Sequence, residues 1–181
     1  MATFETHNCK YTSDAKEGDG ALEISGTSSD KGYFKLVDPK LSIAKLVFWA
    51  KIRGVPDRRG YLNISHPQYG NLTLLKQYNT SWTDWQLFEV YFIYDRDTDT
   101  RVGLAYKVDP NTGKKTLVSS TEQQSGSPNP DTVSITVSGD VYNYPACAHI
   151  DSLKIYGVKG SVVSERGLSN LVKAIYEVST Q

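Results

Sequence analysis

Trp85-Gln-Leu-Phe-Glu-Val-Tyr-Phe-Ile-Tyr94 is a run of β-branched, aromatic and long side chains without Gly or Pro. Its even positions Phe88, Val90, Phe92 and Tyr94 are apolar, while its odd positions mix Trp85, Leu87, Tyr91 and Ile93 with one carboxylate, Glu89. A period of two with one greasy face is the signature of a strand that covers a core. Asp95-Arg-Asp-Thr-Asp-Thr100 then supplies a polar turn. In Arg101-Val-Gly-Leu-Ala-Tyr-Lys-Val108, Val102, Leu104, Tyr106 and Val108 share one face and Arg101, Gly103, Ala105 and Lys107 the other. The pair reads as a long β-hairpin, with the apolar set of the second strand facing in.

The same alternation extends in both directions. Upstream lie Phe4 to Tyr11, Ala21 to Ser25, Tyr33 to Val37, Ala44 to Ile52, Tyr61 to Ser65 and Asn71 to Leu75. Ala44-Lys-Leu-Val-Phe-Trp-Ala-Lys-Ile52 is nearly continuous in apolar residues, which suits a central strand. Downstream lie Lys115 to Ser119, Thr132 to Val137 and Ala148 to Val158. Short strands with turn signals roughly every eight to twelve residues indicate an all-β antiparallel sandwich or barrel. The tail differs. In Ser164 to Val178, the residues Leu168, Leu171, Val172, Ile175 and Tyr176 fall at helical spacing. The expected organisation is a β-sandwich over 1–160 followed by an amphipathic helix over 161–181, which docks on its own sandwich or on a neighbouring subunit.

Lys plus Arg and Asp plus Glu are both 20, so the formal net charge is zero, and no basic run marks a nucleic-acid partner. No apolar stretch approaches the length needed to span a membrane, and the N-terminal residues lack the pattern of a signal peptide. Cys9 and Cys147 are the two cysteines, without a CxxC. They read as two buried thiols, close enough to bond only if the first and last strands pair.

Three pieces together carry a resemblance: Ala44-Lys-Leu-Val-Phe-Trp-Ala-Lys51, Ser81-Trp-Thr-Asp-Trp-Gln-Leu-Phe-Glu-Val90 and Ala148-His-Ile-Asp-Ser-Leu-Lys-Ile-Tyr156. In this order they resemble the jelly-roll carbohydrate-binding modules and the related concanavalin A-like sandwiches. The resemblance covers roughly residues 4 to 158. It implies a two-sheet jelly roll that binds glycans on a sheet face or at loop tips. It also implies a structural calcium near the first strands and the closing-strand Asp, which here selects Glu17, Asp19 and Asp151. Fold likeness alone grants no function.

The glucanases of this fold carry a Glu-x-Asp-x-x-Glu strand whose carboxylates do the chemistry. That spacing is missing here, and Glu89 stands alone on its strand. His7, His66 and His149 share no metal or triad spacing. A non-catalytic role is therefore expected. Sugars present flat apolar faces ringed by hydroxyls, so a binding face pairs exposed rings with polar side chains. The outward positions Tyr61, Asn63, Glu89, Tyr91 and Arg101 offer that mixture, expected as one concave patch, and Tyr78, Trp82, Tyr142 and Tyr144 offer a rim. Tyrosines at outward strand positions with wet hydroxyls account for the same pattern without a ligand. The resulting expectation is a lectin-like protein that binds a glycan or polysaccharide on a surface assembly such as a phage virion. The competing expectation is a purely structural virion decoration or tail protein.

Overall fold

A computed structural model describes residues 3–37, 41–127 and 132–159 and the backbone of Ala174–Glu177. The chain enters as β1 (Thr3–His7) and β2 (Cys9–Thr12), then β3 (Ala21–Gly26) and β4 (Gly32–Val37). The long β5 (Leu41–Arg53) leads to a hairpin of β6 (Arg59–His66) and β7 (Gly70–Tyr78). β8 (Gln86–Asp95) and β9 (Thr100–Val108) form the hairpin around which the sequence is organised, followed by β10 (Lys115–Ser120) and the short β11 (Gln124–Ser125). β12 (Thr132–Gly139), β13 (Ala146–Lys159) and β14 (Ala174–Glu177) complete the described chain.

These strands make two antiparallel sheets. The five-stranded sheet runs β1-β4-β12-β6-β7. The nine-stranded sheet runs β10-β9-β8-β5-β13-β3-β2, with β11 added beside β9 and β14 beside β13. Between the sheets, Leu46, Phe48, Phe88, Val90 and Phe92 meet Leu36, Leu62, Ile64, Leu72, Ile135 and Val137, all buried. The even positions of β8 point inward as the alternation requires, and β5 is central, flanked by β8 and β13. Phe48 and Phe88 are cross-strand partners whose ring centroids lie 5.9 Å apart. Residues 4–11, which alternate like one strand, are instead two. Asn8 adopts a left-handed φ of 55°, and the chain passes there from the five-stranded sheet to the nine-stranded one. Asn tolerates this conformation better than most residues.

The face assignment of β9 is the reverse of the hydropathy reading. Directly paired residues share a face, and Phe92 pairs with Gly103 and Val90 with Ala105. Gly103 and Ala105 are therefore the buried set, whereas Val102, Leu104 and Tyr106 lie half-buried on the outside. Space decides the matter rather than hydropathy. A Cβ on Gly103 would sit 3.2 Å from Thr121 Cγ2 and 3.4 Å from Leu72 Cδ1, because the loop after β10 folds over this point.

The C-terminal helix is also corrected. Ala174–Glu177 form β14, which pairs antiparallel with β13 from Lys154↔Glu177 to Gly157↔Ala174. Residues 161–173 and 178–181, including Leu168, Leu171 and Val172, lie outside the described residues. β3 accompanies β13 only over Ala146–Ile150, so the same edge of β13 is open from Lys154 onward. An open edge presents unpaired N–H and C=O groups, and a strand that satisfies them outcompetes a short isolated helix. Docking to a neighbouring subunit through a terminal helix, and the virion display inferred with it, loses that premise.

Candidate functional site

The outer face of the nine-stranded sheet carries the densest set of chemically active side chains. In β13 the inward residues are Ala146, Ala148 and Ile150, and the alternate positions are Cys147, His149 and Asp151, all buried. Register sets the neighbours of these three. His149 stands between Glu23 of β3 and Lys51 of β5, Cys147 between Ser25 and Arg53, and Asp151 beside Trp49.

Two loops cover this row. Arg53 bridges to Trp82, and Thr83 is pinned to β5 through its N–H to Ile52 O (2.9 Å) and its Oγ1 accepting from Ile52 N (3.1 Å). The end of β7 and the start of this loop can come this close because Gly54 has no side chain, since a Cβ there would lie 2.2 Å from Gln77 O and 2.8 Å from Asn79 O. Trp82 thus lies over His149, with ring centroids 4.3 Å apart, and Trp85 follows at 6.4 Å. Lys51 Nζ sits 5.0 Å from the Trp82 ring and 5.1 Å from that of Trp85, and the Arg53 guanidinium packs between Trp82 and Tyr144. The second cover is the loop after β2. Asp151 accepts backbone N–H bonds from Lys16 and Glu17, each 2.8 Å, and from Ser152 at 2.7 Å.

That loop delivers Asp14 to the row. Asp14 Oδ2 lies 2.5 Å from Lys51 Nζ and 3.1 Å from His149 Nδ1. His149 Nε2 is 3.0 Å from Glu23 Oε1, and Lys10 Nζ is 3.1 Å from Glu23 Oε2. The hydrogen bond from Lys51 holds the Asp14 carboxyl below its ordinary range. Burial alone would raise Glu23, but hydrogen bonds from His149, Lys10 and Cys147 outweigh it and keep Glu23 low. Burial, followed by the charge of Glu23, pushes the Cys147 thiol up to about 11, so it is protonated at neutral pH.

Beyond the tryptophans the face opens into a cleft of about 620 Å³. Trp49, Trp85 and Leu87 give it apolar walls. Asp84, Gln86, Lys107, Asp109, Lys114 and Thr116 give it polar groups. Further along, Glu89 receives Lys115 at 2.7 Å, Lys45 at 3.8 Å and the Tyr91 hydroxyl at 2.8 Å.

The residues singled out from sequence fall into separate places. Glu89 and Tyr91 lie on this outer face, and Trp82 and Tyr144 at its rim. Tyr142 is exposed in the β12–β13 loop and Tyr78 at the end of β7. Tyr61 and Asn63 are on β6 in the other sheet, with the Tyr61 hydroxyl donating to Asp140 Oδ1 (2.8 Å). They cannot share a patch with Tyr91. Arg101 belongs to the inward parity of β9. Its guanidinium donates to Gln68 O, Ser125 O, Gly126 O and Gln124 Oε1, clamping the β6–β7 turn against β11. Glu17 and Asp151 do come together as the resemblance implies, but through hydrogens, since Ser152 Oγ donates to Glu17 Oε2 (2.7 Å). Three N–H groups aimed at Asp151 are donors where calcium needs oxygen ligands, and Asp19 is tied elsewhere, its backbone carbonyl accepting from the Tyr11 hydroxyl (2.7 Å). The set does not fit a calcium staple. Cys9 packs against the core and Cys147 faces out, and both are free thiols.

Asp14, Glu23, Lys51, Arg53, Trp85 and Cys147 were not legible as site residues from hydropathy. One signal for the row was present: Cys147, His149 and Asp151 alternate with Ala146, Ala148 and Ile150, which places three ligand-type side chains on one face of a central strand.

No protein-family description matches this chain, and neither does any curated protein. Among solved structures, the chain is similar to TmCBM61 in complex with β-1,4-galactotriose, at 13% identity over 86% of this chain and 88% of that one, with a TM-score of 0.35. It is similar to a Lotus tetragonolobus seed lectin at 11% identity, over 87% and 93% of the two chains, with a TM-score of 0.38. Lectin II from Ulex europaeus matches at 10% identity, over 86% and 97%, with a TM-score of 0.36. These matches are distant in sequence and in superposition, so the chemistry of the site rests on its own side chains.

Proposed function

We propose that this protein binds carbohydrate, without catalysis, in the cleft on the outer face of its nine-stranded sheet. The observation that carries the proposal is the pairing of Trp49 and Trp85 as walls of an open cleft whose remaining lining mixes Leu, Val and Pro with Asp, Lys, Gln and Thr. An indole face stacks on the apolar C–H face of a pyranose ring, while the surrounding donors and acceptors take its hydroxyls. Lys51, held by Asp14 and flanked by Trp82 and Trp85, fixes the ring of Trp85 before any ligand arrives. A pre-set ring loses little freedom on binding, which favours affinity for a polar, flexible ligand.

Three carboxylates over this face of the sheet are each engaged by a cation, Asp14 by Lys51, Glu23 by Lys10 and Glu89 by Lys115, while Asp109 in the cleft accepts backbone N–H bonds from Asn111 and Thr112. Glu23 and Glu89 are held in the ionised form, which suits hydrogen-bond acceptors and disfavours a general acid. The test is a glycan array followed by calorimetry on any hit. Trp85→Ala and Trp49→Ala should each weaken binding by about tenfold or more, while Tyr61→Ala on the opposite sheet should leave it unchanged. An array with no hit, or a hit indifferent to Trp85→Ala and Trp49→Ala, would sink the proposal.

A further inference from the structure

Behind Trp82, on the far side of the tryptophans from the cleft, lies a group the carbohydrate reading does not use. Glu23, Cys147 and His149 each offer one ligand atom, and these atoms lie within 4.8 Å of one another. We propose that the three form a binding site for a divalent cation of the zinc class. This inference stands independently of carbohydrate binding.

The donor set selects the ion. One sulfur, one imidazole nitrogen and one carboxylate oxygen suit zinc, whereas calcium and magnesium take oxygen alone. Tetrahedral bonds of about 2.0–2.3 Å place ligand atoms about 3.3–3.8 Å apart, so the cluster needs only small side-chain adjustments to close on an ion. Glu23 has the freedom for them, because Lys10 binds its other oxygen and is itself 73% exposed.

The second observation is the orientation of His149. A metal-binding imidazole characteristically donates its other N–H to a carboxylate, which fixes the tautomer. Asp14 Oδ2 occupies that position, 3.1 Å from Nδ1, so Nε2, hydrogen-bonded to Glu23 Oε1 at 3.0 Å in the metal-free protein, is the nitrogen left for the ion. Asp14 is held in turn by Lys51. On the strand itself, Cys147 and His149 are two residues apart and so project from one face, and Glu23 is the registered partner of His149 on β3. Sheet register therefore builds the trio, with no loop required to close it. Access exists as well. An open groove of about 390 Å³, lined by Asn8, Lys10, Glu23, Ser25, Asp30 and Pro145 among others, reaches Glu23 from solvent. On loading, the cation bonds to Sγ, Nε2 and Oε1, the thiol proton and the proton of the Nε2–Oε1 hydrogen bond leave to solvent, and water fills the fourth position.

The full chain, stripped with a chelator and titrated with Zn(II) and Co(II), provides the test. The expected result is one equivalent bound per chain and a Co(II) spectrum containing a thiolate charge-transfer band. Cys147→Ser should abolish that band, and Glu23→Gln should weaken binding by about tenfold or more. Asp14→Asn should weaken binding by about tenfold without changing the shape of the spectrum. His7→Ala, at the exposed His7–Asp30 pair, should change nothing. Circular dichroism checks that each variant is folded, and Glu23→Gln decides the outcome if Cys147→Ser is not. Absence of stoichiometric binding, a spectrum without the thiolate band, or binding that survives Glu23→Gln but fails in His7→Ala would overturn the site.

Discussion

Glu89 shows how a single carboxylate on this face contributes to the fold. Burial would raise its pKa, but Lys115, Tyr91 and Lys45 together hold it below the ordinary value. A carboxyl whose pKa is depressed by folding adds stability that is complete above its unfolded pKa, about 4.3 for Glu. That contribution disappears as pH falls through the folded value. Glu89→Gln should therefore melt below the wild type at pH 7, and the gap should close as pH drops below about 4. Thermal midpoints measured from pH 7 to 3 check this, and a gap independent of pH would contradict it. Individual residues were the least legible scale in the sequence. Glu89 and Tyr91 could be placed on the outer face because β8 alternates cleanly. Lys51 and Asp14 could not, because their meeting depends on the loop after β2, which is fixed by contacts such as Lys16 N to Asp151 Oδ2 across a separation of 135 residues.

At the level of elements, β13 is the strand that carries most of the consequence. It pairs with β5 along its whole length, and its ladder shifts register between Asp151 and Lys154, where Ser152 has a φ of 52°. Before the shift its other edge meets β3, and after it β14. Removing the residues after Gly160 should thus expose backbone amides only in the second half of the strand. Hydrogen exchange should rise on that edge over Lys154–Gly157, while Cys147–Ile150 keep their protection. Unchanged exchange over Lys154–Gly157 would mean that β14 is not its partner. Nearly every strand was legible, because Gly and Asx-rich turns separate runs of period two. What failed was parity on β9 and the type of the last element. Both depend on what lies across the gap: a small residue goes inward where Leu72 and Thr121 leave no room, and a helical pattern yields to an open edge.

For the molecule as a whole, both sheets draw on one core. Phe48 touches Phe88 within its own sheet and belongs to the same buried cluster as Leu62, Ile64 and Ile135 opposite. Phe48→Ala should cost about 3–5 kcal/mol. It should also lower the urea midpoint equally by tryptophan fluorescence and by far-UV circular dichroism, since one core implies one transition. Separate midpoints for the two signals would show sheets that unfold independently. The sandwich class was legible because it follows from the count and spacing of strands. The partition into five and nine strands was not, since it depends on long-range pairings such as β5 with β13.

The crossing at Asn8 has a mechanical meaning. One residue separates β1 from β2, so along that border the two sheets are tied by covalent bonds and their strand ends can part by no more than two peptide spans, about 7 Å. Along the opposite border, β7 faces β10, and the ties there are weaker: Thr73 N to Ser119 Oγ at 3.2 Å, Gly103 N to Thr121 Oγ1 at 2.8 Å, and the Arg101 clamp on Gln68. The molecule is bound like a book, with its spine at Asn8. An opening of the sandwich is expected first at that edge, against the packing of Tyr69, Leu72 and Phe92, and last toward the spine, beside the row of Cys147, His149 and Asp151.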